Sequence, residues 1–230
     1  KPLRLKRFFY TLNCIFIKYS EYRIMPIIED LNLFSKTRLV VWEINEDLKD
    51  LRLDGLLDKY SAKLLADRKS EIHKKQFLAI RNILKEISVH NQNLKYDEFG
   101  RPFLIGDNNI SITHSGNYAA LIISDQKVGI DIEVVGDSIL KITNKFLETE
   151  LIYPQVLEKE AALIYWNIKE SVFKLVKNSG VDFKKNIIVL PLDFKNNCTK
   201  SWYLNEDTID SFDSYFKISK NYTLAYVIKR

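Results

Sequence analysis

Two short runs of the chain combine residue types that do chemistry. The first is Gly129-Ile130-Asp131-Ile132-Glu133. Val128, Ile130 and Ile132 alternate with Asp131 and Glu133, which is strand spacing, so both acids share one face. Carboxylates held side by side repel. A hard cation such as Mg²⁺ removes that repulsion and takes one or two carboxylates together with phosphate oxygens. A solvated strand face explains the same spacing. The second run is Trp166-Asn167-Ile168-Lys169-Glu170-Ser171-Val172-Phe173-Lys174. Ala161, Ile164, Tyr165, Ile168, Val172, Leu175 and Val176 recur with helical period and mark a buried stripe. Asn167, Glu170, Lys174 and Lys177 fall on the polar side. Glu170 and Lys174 are four apart and adjacent on the helix surface. An ordinary structural Glu–Lys pair has that spacing too.

Other elements must bring these runs together. Residues 38–44 read as a buried strand, and 45–57 as a short helix that Asn45 caps. Residues 61–88 read as one long helix carrying Arg68, Lys69, His73, Lys74, Lys75 and Arg81; most of these cations mark a solvated face. Residues 91–101 form a polar turn region in which Gly100-Arg101-Pro102 fixes a cation in a tight turn. Strands follow at 110–113, 118–124 and 127–134, as a meander. His114 ends the first of these beside Ser115 and Gly116, where turn N–H groups favour phosphate. His90 reads as a surface residue. Helical segments at 138–147 and 158–177 precede strands at 186–190, 201–204, 211–219 and 222–228. Helices with antiparallel strands in both halves predict an α+β fold.

A length of 230 residues allows one large or two small domains. A hydrophobic fraction of 46%, with 13 Phe and 12 Tyr, supplies a core. Only 7 Gly and 5 Pro argue against a long flexible linker. Residues 1–24 carry six basic side chains and one acid, which accounts for the whole net charge of +5. The remainder is balanced, unlike a nucleic-acid binder. Met25 opens a run that reads like a natural start, so 1–24 is expected to be an extension outside the domain. A signal peptide fits that stretch less well, because Asn13 interrupts its apolar run and no small-residue cleavage site follows. No apolar run is long enough to span a bilayer. Cys14 and Cys198 have no paired spacing, and a reduced, cytoplasmic setting is the default.

Taken together, V-G-I-D-I-E and W-x-x-K-E-S-x-x-K resemble the signature of the 4′-phosphopantetheinyl transferase superfamily. Phe99-Gly100-Arg101-Pro102-Phe103 and Ser111-Ile112-Thr113-His114-Ser115 resemble two further elements of that family, in the right order. The resemblance covers roughly residues 73–191. It implies the double-length, surfactin-synthetase-activating type: a pseudo-dimer of two similar α/β halves with antiparallel sheets and one active site between them. The halves are expected at 25–105 and 106–230. Phe146-Leu147-Glu148-Thr149-Glu150 resembles another family region with its acid one position early, and neither Glu148 nor Glu150 is given a role.

The reaction so implied moves 4′-phosphopantetheine from coenzyme A to a serine of an apo acyl or peptidyl carrier protein and releases 3′,5′-ADP. Glu170 would be the general base and would share Mg²⁺ with Asp131 and Glu133. Lys174 would stabilise the leaving phosphate. Arg101, His114, Ser115, Lys169, Lys174, Lys75 and Arg81 would bind coenzyme A, with His73 and Lys75 near the 3′-phosphate. Trp166 would pack beneath the site. The resemblance further implies a cytoplasmic monomer with no nucleic-acid or membrane partner. Two alternatives use the same residue types: a non-catalytic carrier-binding relative, and a Mg²⁺-dependent phosphodiesterase or nuclease.

Overall fold

The computed structural model describes residues 26–229 apart from 35, 53, 54, 56, 155–157, 177 and 179. The expected extension 1–24, Cys14, Met25 and Lys177 lie outside the described residues.

The first sheet is built by β1 (Ile27–Phe34), β2 (Thr37–Glu43), β5 (Asn109–Ser115) and β6 (Tyr118–Ser124), in the order β1-β2-β6-β5 and antiparallel throughout. Between β2 and β5 run α1 (Leu48–Leu51), α2 (Lys59–Ala66), α3 (Glu71–Glu86) and a small hairpin of β3 (Leu94–Tyr96) with β4 (Pro102–Leu104). The second sheet begins at β7 (Lys127–Val134). After α4 (Thr143–Phe146) and the long α5 (Lys159–Val176) come β8 (Ile187–Val189), β9 (Cys198–Leu204), β10 (Ile209–Ile218) and β11 (Tyr222–Lys229). Its order is β7-β11-β10-β9-β8. The fold is α+β with antiparallel sheets.

The elements stack as helix, sheet, sheet, helix. Leu78, Ile80 and Ile83 of α3 pack on Val40, Trp42, Leu121 and Ile123 of the first sheet. The opposite face of that sheet, Leu39, Val41, Ala120 and Ile122, meets Val128, Ile130, Ile132 and Leu224 of the second. The far face of the second sheet, with Phe212, Phe216, Ala225 and Val227, is covered by Ile164, Ile168 and Val172 of α5. The aliphatic stripe read along α5 is the stripe it buries.

Three differences from the sequence reading have local causes. The helix expected over 61–88 breaks into α2 and α3, because Ser70 is extended at the N-cap position of α3, a place serine favours. Among the described residues of the segment read as 45–57 only Leu48–Leu51 is helical, and Asp47, not Asn45, precedes it. Residues 138–147 are a 3₁₀ turn followed by the single turn of α4. The division at 105/106 falls before two strands that hydrogen-bond within the first sheet; the change of sheet comes between β6 and β7.

Gly129 sets the distance between β7 and α5. A Cβ there would lie 1.9 Å from the Ser171 carbonyl oxygen, so only glycine lets the helix backbone rest against the strand. That contact brings Glu170 and Lys174 down onto the strand's acids.

Candidate active site

Asp131 and Glu133 lie on the face of β7 turned towards α5, with Ile130 and Ile132 buried behind them. Asp131 is 4% exposed. Its Oδ1 accepts from Lys174 Nζ at 2.6 Å and from Thr113 Oγ1 at 3.0 Å, while Oδ2 accepts from Asn167 Nδ2 at 2.9 Å. Thr223 Oγ1 donates to Asn167 Oδ1 at 2.7 Å and so fixes which way that amide faces. Lys174 Nζ also donates to the Ile130 carbonyl at 3.1 Å. Ser115 Oγ donates to Glu133 Oε2 at 2.6 Å.

Glu170 joins this group electrostatically. Burial pushes its carboxyl up to about 7, and the charges of Asp131 and Glu133 push the same way, against Lys174. Burial also raises Glu133, helped by the Asp131 charge and opposed by Ser115, Trp166 and Lys174. Three carboxylates therefore face one ammonium. Among the described residues no trio of His, Cys, Asp or Glu is spaced to hold a metal ion. The expected trio of Asp131, Glu133 and Glu170 is close enough for charge to be felt, yet is not drawn to coordinating distance. The donor set still suits a hard cation: it offers carboxylate oxygens only, with more negative than positive charge.

Two clefts open beside this cluster. One, of about 460 Å³, is lined by Arg68, His73, Gln76, Phe77, Tyr96 and His114. The His73 and His114 ring centroids are 6.4 Å apart. Burial lowers the His114 pKa, and the nearby charges of Lys174, His73 and Arg68 lower it further. Gln76 Nε2 donates to the Gly116 carbonyl at 2.9 Å, which leaves its buried Oε1 without a partner. The other cleft, of about 550 Å³, runs from Arg101 past Lys127 to Phe173 and Lys174. Gly100 and Pro102 line both clefts, so the β3–β4 turn is the ridge between them.

The basic residue types expected to bind coenzyme A separate into two groups. Arg101, His114 and Lys174 face the clefts. Lys169, Arg81 and Lys75 do not. Lys169 is fully buried; its ammonium pairs with Glu150 at 2.8 Å and donates to the Phe183 and Ile187 carbonyls at 2.8 and 2.6 Å. One residue along a helix turns a side chain by roughly 100°, which carries Lys169 away from Glu170 into the core. Glu150, given no role from sequence, is its buried counter-charge and also accepts the Val189 N–H at 3.0 Å. Arg81 is buried against Phe77, 4.8 Å from the ring centroid, and donates to the Asn91 carbonyl at 3.0 Å. Lys75 pairs with Glu71 at 3.4 Å; His73 reaches the cleft from the same helix. Ser115 serves Glu133 instead of opening into a cleft.

Sequence reasoning missed Arg68, Gln76, Asn167 and Thr113. Asn167 falls on the polar side of α5 by spacing, yet it is fully buried. Thr113 carried a signal: Ser111, Thr113 and Ser115 alternate, so their hydroxyls share one face of β5.

These features define an α+β protein with a carboxylate–lysine cluster between two polar clefts. No family model matches the chain. Over 108 residues it is 30% identical to the 4′-phosphopantetheinyl transferase gsp of Aneurinibacillus migulanus, a match covering 44% of this chain and 46% of that protein. The chain is thus matched over less than half the length of that curated relative. Among the described residues, no helix is long and apolar enough to cross a membrane.

Proposed function

We propose that the chain transfers 4′-phosphopantetheine from coenzyme A to the hydroxyl of a serine on an apo acyl or peptidyl carrier protein. The observation that carries this is the meeting of Asp131, Glu133 and Lys174 with Glu170, from a strand and a later helix, around one acidic cluster. The partial likeness to a phosphopantetheinyl transferase supports the same class.

The serine hydroxyl is a weak nucleophile and needs a base poised near neutrality. Glu170, with its carboxyl pushed up to about 7, has that property. It takes the serine proton as the serine oxygen bonds to the β-phosphorus of the coenzyme. The bond from that phosphorus to the bridging oxygen breaks, and the electron pair leaves with 3′,5′-ADP. Lys174 lines the second cleft and offsets the charge that builds on the leaving phosphate. Asp131 and Glu133 are the residues that would hold Mg²⁺, with Glu170 beside them; when bound, the ion supplies charge neutralisation for the diphosphate. Arg68 supplies a cation, and His73 and His114 ring N–H donors, for the nucleotide's 3′-phosphate. Arg101 lies across the ridge for the diphosphate end.

The two helix-backed sheets support a pseudo-dimeric reading with the site at their junction, since Thr113 and Ser115 come from the first sheet and the acids from the second. A monomer in the cytoplasm is the accompanying expectation. The test is incubation with an apo carrier protein, coenzyme A and Mg²⁺, followed by intact mass of the carrier. A gain of one phosphopantetheine group is expected. No gain across fatty-acid, polyketide and peptide carriers would sink the proposal.

A further inference from the structure

Strands β5 and β7 run side by side at the junction of the sheets without pairing backbone to backbone. Three hydroxyls of β5 bridge them instead. Ser111 Oγ accepts the Ile130 N–H at 3.1 Å, Thr113 Oγ1 the Ile132 N–H at 3.3 Å, and Ser115 Oγ the Val134 N–H at 3.2 Å. Each rung spans 19 residues of sequence, so the ladder has a constant register.

The upper two rungs do something more. A hydroxyl has one proton to give as well as lone pairs to receive. Thr113 gives its proton to Asp131 and Ser115 gives its proton to Glu133, each time the residue just before the N–H it accepts. At the lowest rung the corresponding residue is Gly129, which has no side chain to receive one. The ladder is therefore structural at Ser111 and directed at the two acids at Thr113 and Ser115.

We propose that Thr113 and Ser115 are positioning residues, which fix the orientation of the Asp131 and Glu133 carboxylates from the neighbouring sheet. The kinetic part of this inference rests on the transfer function proposed above. Neither hydroxyl needs to touch substrate. Each is held by a backbone N–H on one side and so cannot swing without breaking that bond. Partners that orient the residues around a metal or reaction centre typically matter about 10–100-fold in activity or metal affinity.

The experiment compares Ser111→Ala, Thr113→Val, Thr113→Ser and Ser115→Ala in the full chain. Each is assayed for transfer from coenzyme A to an apo carrier, for melting temperature, and by crystallography without added metal. Thr113→Val and Ser115→Ala are expected to lower kcat about tenfold or more, with KM for coenzyme A within about twofold of the parent. Thr113→Ser, which keeps the hydroxyl, is expected to restore kcat to within about threefold. Ser111→Ala is expected to lower the melting temperature and leave kcat unchanged. Parental kcat in both Thr113→Val and Ser115→Ala would reduce the ladder to sheet closure and overturn the inference. If Thr113→Val does not fold, Ser115→Ala decides the matter through Glu133. If the parent chain modifies no carrier, the transfer proposal fails separately and the crystal structures decide. Rotated Asp131 and Glu133 carboxylates support positioning, and unmoved ones overturn it.

Discussion

Lys174 Nζ stands 2.6 Å from Asp131 Oδ1, joining α5 to β7 across 43 residues of sequence. The Asp131 side chain is almost sealed from water while Lys174 keeps partial access. The lysine's charge also opposes the upward pKa shifts of Glu133 and Glu170. Lys174→Ala is therefore expected to leave a buried acid without its cation and to let both other carboxylates hold protons to higher pH. Transfer should fall about 10²–10³-fold, the range for losing one preorganised charge-stabilising group. Rates with an apo carrier, measured as mass gain against time, check this.

Glu170→Gln keeps the shape of the side chain and removes its basicity. The transfer rate should fall about 10²–10⁴-fold, while calorimetry should show coenzyme A binding close to that of the parent. Parental turnover in this variant would remove Glu170 as the base.

The raised carboxyl of Glu170 makes the metal-free protein pH-dependent. Its folded value of about 7 lies above the ordinary 4.5, so between those values the native state holds a proton that the unfolded chain has released. That contribution to stability is fully present below pH 4.5 and is lost as pH climbs through about 7. Glu133 adds a shift in the same direction. Urea denaturation from pH 4.5 to 8 in the presence of a chelator should show the decline, and Glu170→Gln should flatten it.

Lys169 and Glu150 form an ion pair with neither side chain exposed. Removing one member strands the other in the core, at a typical cost of about 3–5 kcal/mol. Lys169→Met alone and Glu150→Gln alone should each lower stability by that order. The double variant Lys169→Met, Glu150→Leu should recover much of the loss, because no uncompensated charge remains. Denaturant titration of the three proteins reads the difference.

At Gly129 a methyl group would meet the Ser171 carbonyl oxygen at 1.9 Å, and both partners are backbone. Gly129→Ala must lift α5 from β7, and Glu170 and Lys174 move with it. The expected result is lost stability together with a fall in transfer of at least about 10²-fold, since small misplacements at a reacting centre act on that scale. A thermal melt and a transfer assay on the same preparation check both.

The strands and the long helix of the second half were legible from sequence because each repeats its period over many residues. Asp131, Glu133, Glu170 and Lys174 were legible because their neighbours fix which face each occupies. What escaped was long-range. Nothing around Lys169 announces that Glu150, 19 residues earlier in the chain, waits in the core; a lysine beside a presumed base reads as a phosphate ligand until its partner is seen. Arg81 likewise sits in a run of apolar residues, where resemblance suggests a coenzyme A contact, whereas α3 turns it inward. The expected division at 105/106 follows a polar turn region, which has the composition of a linker, whereas the change of sheet comes between β6 and β7. In the fold those residues end a hairpin, and the next two strands return to the sheet already begun.

The hydroxyl ladder also bears on whether the protein can be divided. Cutting between β6 and β7 would leave Ile130, Ile132 and Val134 with bare amides along an open margin and would uncover the aliphatic face behind them. Such a fragment invites pairing with any extended chain it meets, itself included. The two sheets share one seam, and separating them would create a sticky border on each side.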